Sequence, residues 1–170
     1  MSYWILQSHP SKFRILQYLE YLKNKSLQQD FWHIGRHYNM RCGDTCFIWK
    51  ANDKGKKDRG IYAKAKILTE PKLQALYELE GDQAEIDRFK KLDKLGVLYW
   101  VELEEKRKLY ETPLIWVEYT KFILNKPLLF ADAKIESILS GTSIANVPKG
   151  IVHILNQRQG RDLEQIIESM

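Results

Sequence analysis

Cysteine is scarce: Cys42 and Cys46 are the only two in 170 residues, too few for the disulfide framework that holds small secreted domains together. No apolar run approaches the roughly 18 residues that a membrane-spanning helix needs. Met1-Ser2-Tyr3-Trp4 opens the chain without the basic stretch and apolar run of a signal peptide. The expectation is a soluble protein in a reducing, cytoplasmic setting, with no membrane partner. Internal repeats, low-complexity tracts and linkers rich in Pro, Gly and Ser are missing as well, so residues 1–170 are expected to form one domain. Familiar catalytic signatures are also absent. There is no Gly-x-Ser-x-Gly, His-Glu-x-x-His or phosphate-loop pattern, and no cofactor is implied.

What is present is 44% hydrophobic and 12% aromatic residues, enough to bury one core but not two. Lys and Arg number 27 against 22 Asp and Glu, a formal net charge of +5. That modest excess favours a polyanionic partner over a neutral one.

Tyr3-Trp4-Ile5-Leu6-Gln7 is a short apolar run that stops at Ser8-His9-Pro10, as a buried strand does when it enters a loop. Ser11 is placed to cap a helix whose Phe13, Leu16, Leu19 and Leu22 recur every third residue, predicting helix to about Lys23. Phe31 to Gly35 is extended, Arg41-Cys42-Gly43-Asp44 forms a turn, and Thr45 to Ala51 is the next strand. A charged tip, Asn52 to Asp58, then joins that strand to Gly60–Ile67 as a hairpin. Pro71 to Leu95 reads as one or two short helices. Val97–Leu103 and Leu114–Tyr119 read as strands joined by Glu104-Glu105-Lys106-Arg107-Lys108. Ala131–Leu139 suits a helix, Gly150–Leu155 a late strand, and Asn156 caps a closing helix with Leu163, Ile166 and Ile167 on one face. The fold class is therefore α+β. A closed β-barrel of about five to six strands flanked by helices is expected, because closure removes exposed sheet edges.

The order of these features is specific. Tyr3-Trp4-Ile5, a polar pair with Pro10, an isolated Trp32, Gly43-Asp44 leading into Phe47-Ile48-Trp49-Lys50-Ala51, and Gly60-Ile61-Tyr62-Ala63 together resemble the EVE domain. That family is similar to the YTH, ASCH and other PUA-like domains. The resemblance is clearest over residues 3–70. It implies a PUA-like barrel and a non-catalytic reader of DNA or RNA that accepts one base, often chemically modified, in an aromatic pocket. Association with restriction or defence proteins is implied in the same way.

On that resemblance, Trp32 is the first base-binding candidate, since stacking an extruded base on an indole contributes about 1–3 kcal/mol. Gln7 and Ser8, where the first strand ends, and Asn52, at the end of the third, are candidates for polar contacts to the base. His33 adjoins Trp32 and is grouped with them. Trp49 is a second indole that could close a cage, although alternation puts it on the side of Phe47, which points to the core. Trp4, Trp100 and Trp116 are assigned to the core. For the phosphate backbone the candidates are Lys54, Lys56, Lys57 and Arg59 on the hairpin, with Arg36 nearby; Lys50, Lys64, Lys66 and Arg41 extend the cluster.

Two other chemistries match parts of the sequence. His33, His37, Cys42 and Cys46 offer four zinc-type ligands, but a strand would part the two cysteines by about 13 Å, and no metal site is expected. Glu102, Glu104 and Lys106 with Asp93 suggest a metal-dependent nuclease. That reading and a protein-interaction subunit are the alternatives to the reader.

Overall fold

The computed structural model describes residues 1–36, 39–52, 57–146 and 152–170. In chain order its elements are β1 (Tyr3–Ser8), α1 (Ile15–Asn24), β2 (Gln29–His33), β3 (Thr45–Lys50), β4 (Gly60–Ile67) and β5 (Lys72–Leu73). There follow α2 (Gln74–Glu80), α3 (Gln83–Val97), α4 (Leu103–Arg107), β6 (Pro113–Phe122) and β7 (Leu128–Leu129). The chain closes with α5 (Ala133–Leu139), α6 (Ser143–Asn146), β8 (Val152–Leu155) and α7 (Gln157–Glu168).

One mixed sheet runs β2-β6-β4-β3-β1-β8, with β5 added beside β6 and β7 beside β4. β1 and β3 pair in parallel, Tyr3 opposite Thr45 through Ser8 opposite Lys50; the other pairings are antiparallel. Register shifts between Ile48 and Trp49 and between Lys64 and Ala65 mark irregularities in the central strands, which sharpen the local twist and bend the sheet. The result is a curled half-barrel, not the closed barrel expected. Among the described residues no pairing joins the edge strands β2 and β8. Helices cover the sheet where closure would have done so.

β1 and β3 are buried along their whole length, which is why they read as continuous apolar runs rather than as an alternating pattern. Successive side chains enter different cores. Trp4, Leu6 and Ile48 pack with Tyr18, Leu19 and Leu22 of α1, while Tyr3, Ile5, Phe47 and Trp49 pack with Leu139, Leu163 and Ile167 of α5 and α7. A smaller cluster seats Phe89 and Leu92 of α3 on Leu114 and Trp116 of β6.

The Gly43-Asp44 turn fixes the entry to β3. Gly43 has φ +90°, a conformation in which glycine carries no Cβ penalty. Asp44 then accepts from Ser2 N–H (2.7 Å), Trp4 Nε1–H (3.0 Å) and Arg41 N–H (3.1 Å), tying the start of the chain to the turn. At the other end, Asn156 and Gln159 form a reciprocal capping box on α7. α7 is also held to the sheet by Lys64, which is buried and pairs with Glu164 (3.2 Å) and Glu168.

Two expectations of local structure differ. Ser11 does not cap α1; its hydroxyl meets His9 Nδ1 at 2.7 Å, and the helix begins at Ile15 without a side-chain cap. Val97–Leu103 is not a strand, since α3 runs to Val97 and α4 starts at Leu103. The segment between them makes one isolated bridge, Trp100 to Phe13, outside the strands of the sheet, and Leu98 is 70% exposed.

Candidate nucleic-acid interface

A cavity of about 570 Å³ opens where β1 ends, bounded by β2, α1, α3 and the segment carrying α4. β1 supplies Gln7 and Ser8, and β2 supplies Asp30, Phe31, Trp32 and His33. Phe13 and Trp100 line it side by side, ring centroids 5.2 Å apart. Lys12, Asp93, Glu105, Lys106 and Lys108 bring charge to the same space.

The Trp32 indole is half-buried and held by its edge. Its Nε1–H donates to the Tyr119 hydroxyl (3.0 Å), which donates to Asp30 Oδ2 (3.1 Å). Asp30 Oδ1 accepts from the Tyr18 hydroxyl (2.9 Å) and from Phe31 N–H (2.8 Å). A ring anchored in this way is a preorganised surface, since a guest need not bear the cost of ordering it. Burial pushes the Asp30 carboxyl up to about 6, against the opposing hydrogen bonds from Tyr18, Phe31 and Tyr119.

His33 is pushed the other way. Burial lowers it to about 4, so the ring is neutral at pH 7. Its Nδ1 lies 3.2 Å from the Thr112 hydroxyl oxygen, whose own hydrogen is committed to the Leu109 carbonyl at 2.6 Å. A proton on Nδ1 satisfies this contact and leaves Nε2 as an acceptor.

Charges at the cavity are paired. Lys106 is buried and meets Asp93 at 2.8 Å and the Tyr110 hydroxyl at 3.2 Å. Glu105 contacts Lys12 through Oε2 (2.8 Å) and Lys108 through Oε1 (2.5 Å). Lys108 and Lys12 hold its carboxyl down at about 2.

Of the sequence candidates, Trp32, His33, Gln7 and Ser8 line this one cavity. Trp49 does not. It is fully buried in the core on α5 and α7, with Phe130 edge-on at 6.1 Å, because its position in β3 points it to the face of Phe47. Asn52 is exposed beyond β3 and does not line the cavity.

The described cations of the hairpin and its neighbours differ in their surroundings. Lys57 and Arg36 are exposed, Arg59 lies over the Phe130 ring at 3.8 Å, and Lys50 turns inward to Asp58 at 2.7 Å. Lys54 and Lys56 lie outside the described residues, as does His37.

Cys46 is fully buried and Cys42 exposed, both as free thiols. Among the described residues no group of three or more His, Cys, Asp or Glu is arranged to hold a metal ion. Of the nuclease set, Asp93 and Lys106 pair with each other in the cavity wall, while Glu104 is 68% exposed and faces Arg107 at 3.7 Å.

Sequence reasoning missed Phe13, Tyr18 and Asp30, and it placed Trp100 in the core. Asp30 had one local signal, a carboxylate directly before the apolar Phe31-Trp32 of a strand. Its tyrosine partners lie 12 and 89 residues away.

Human THYN1 protein, in a crystal structure with 5-methylcytosine-containing DNA, is similar over 99% of this chain and 98% of its own, with TM-score 0.59 and 16% identity. Rpa0253 from Rhodopseudomonas palustris is similar over 100% and 95%, with TM-score 0.58 and 15% identity. A hypothetical protein from Leishmania major is similar over 99% and 96%, with TM-score 0.57 and 14% identity. At such identities the likeness is one of fold. No curated protein matches the chain. The family model of the EVE domain matches residues 2–149, and the chain belongs to the EVE domain family.

Proposed function

We propose that this protein is a non-catalytic nucleic-acid reader that takes a single extruded base, modified in its preferred target, into the cavity beside β1. The carrying observation is Trp32: an indole on the cavity wall, anchored by its Nε1–H to Tyr119 and adjacent to polar groups at the end of β1. A flat apolar ring with polar atoms around it meets the two needs of base recognition, stacking on the face and hydrogen bonding at the edge. Gln7 and Ser8 supply donors and acceptors, and the accepting Nε2 of neutral His33 suits an exocyclic amine. Human THYN1, of the same fold, was crystallised with 5-methylcytosine-containing DNA, which supports DNA as the first polymer to test.

The deciding measurement is a binding survey over plain and modified DNA and RNA oligonucleotides, with wild type and Trp32→Ala compared. Loss of one stacked base, about 1–3 kcal/mol, predicts a fall in affinity of roughly five- to 150-fold for the preferred probe, with Trp32→Phe intermediate. Binding should weaken steeply with added salt. Wild type and Trp32→Ala binding every probe alike would remove the cavity from the mechanism.

A further inference from the structure

A base held in the cavity remains attached through its sugar to the strand, so a phosphodiester must lie at the cavity mouth. Among the described residues, no hairpin cation lines the cavity. Lys50 and Lys64 are buried in internal ion pairs, and Arg59 is stacked on Phe130. Lys106 lines the cavity but is the buried side chain of α4 and is held by Asp93.

Lys12 and Lys108 differ. Both line the cavity, both reach solvent with side chains 57% and 59% exposed, and both grip one carboxylate, that of Glu105, which is only 20% exposed. Each ammonium takes a different carboxylate oxygen. A phosphodiester also presents two oxygens on one atom and a single negative charge, so it can satisfy the same two donors. Exchange keeps both ammoniums paired with an anion, and both already reach solvent from the cavity mouth.

Building on the base-reading proposal, the geometry points to Lys12 and Lys108 as a phosphate subsite, filled by the Glu105 carboxylate until the phosphodiester flanking the bound base displaces it. Glu105 is thus an internal competitor, and removing its charge strengthens binding.

The test compares Glu105→Gln with Glu104→Gln. Both remove one negative charge from α4, but Glu104 faces Arg107 and does not line the cavity. The probe is a short fluorescent DNA carrying 5-methylcytosine, as duplex and as single strand, titrated at several salt concentrations, with melting curves to confirm that each variant folds. Glu105→Gln should bind about threefold or more tighter than Glu104→Gln. Lys12→Gln should bind more weakly, with a salt slope reduced by about 1.

Equal affinities for the two glutamine variants, with the Lys12→Gln slope unchanged, overturn the subsite. If Trp32→Ala still loses binding in that case, base reading survives without it. Failure of wild type and Glu105→Gln alike to bind this DNA overturns the subsite, and failure across the full survey of DNA and RNA probes defeats base reading as well.

Discussion

Asp30 and His33 stand on the same edge strand and line the same cavity, yet burial moves their titrations in opposite directions, giving stability effects of opposite sign. Asp30 rises from 3.8 to about 6. The folded state holds its proton where the unfolded chain has lost it, so this contribution is full below pH 3.8 and is lost as pH rises through 6. His33 falls from 6.5 to about 4. Here the unfolded chain binds the proton first, so the contribution is full above pH 6.5 and is lost as pH falls through 4. Each gap corresponds to roughly 3 kcal/mol at its limit, and between pH 4 and 6 the two nearly cancel.

Removing one member exposes the other. Chemical denaturation of wild type, His33→Gln and Asp30→Asn at intervals from pH 4 to 7 reads this directly, as differences in unfolding free energy against wild type. Those differences cancel the titration of surface carboxylates such as Glu105, which all three proteins share. His33→Gln should lose stability relative to wild type as pH rises across the window. Asp30→Asn should gain, from a lower starting point, because an amide cannot accept from Tyr18, Phe31 and Tyr119 in the way the carboxylate does. A His33→Gln curve parallel to wild type would show that the ring titrates as it does in water, and the argument from burial would fail.

Two further changes probe what positions the site. Asp44→Ala strips three N–H groups of their acceptor and should cost about 2–4 kcal/mol in denaturant titration; a loss below about 1 kcal/mol would mean that the turn is held by its backbone alone. Gly160→Ala should also destabilise, although alanine is the better helix former by about 1 kcal/mol. The added Cβ would strike the Tyr3 ring, which is fixed by its hydroxyl on Glu164 (3.0 Å) and lies parallel to Phe47. A higher melting temperature for Gly160→Ala would show that the ring can yield.

The elements legible in the sequence are those whose burial leaves a local trace. β1, β3 and β4 are buried nearly throughout and so read as apolar runs, while the Asn156 cap and the stripe of Leu163 and Ile167 announce α7. Closure of the barrel has no such trace, because it depends on whether two strands far apart in sequence meet. Val97–Leu103 misled for a related reason. Its Val, Tyr and Trp content expresses fit to a pleated, half-buried surface, and the fold offers that segment no sheet to join beyond the Phe13 bridge.

Charge shows the same division between composition and placement. A surplus of +5 states how many cations are in excess but not which of them can meet a partner. The runs Lys64-Ala65-Lys66 and Glu104-Glu105-Lys106-Arg107-Lys108 look equally solvated. Yet Lys64 is drawn inward by two glutamates of α7, and Lys106 by Asp93 of α3, partners 13 to 104 residues distant. What a polyanion can use is what remains after such pairing. At the cavity that remainder is Lys12 and Lys108, held by a single, partly exposed carboxylate whose removal is therefore the most direct way to ask whether this mouth receives a phosphate.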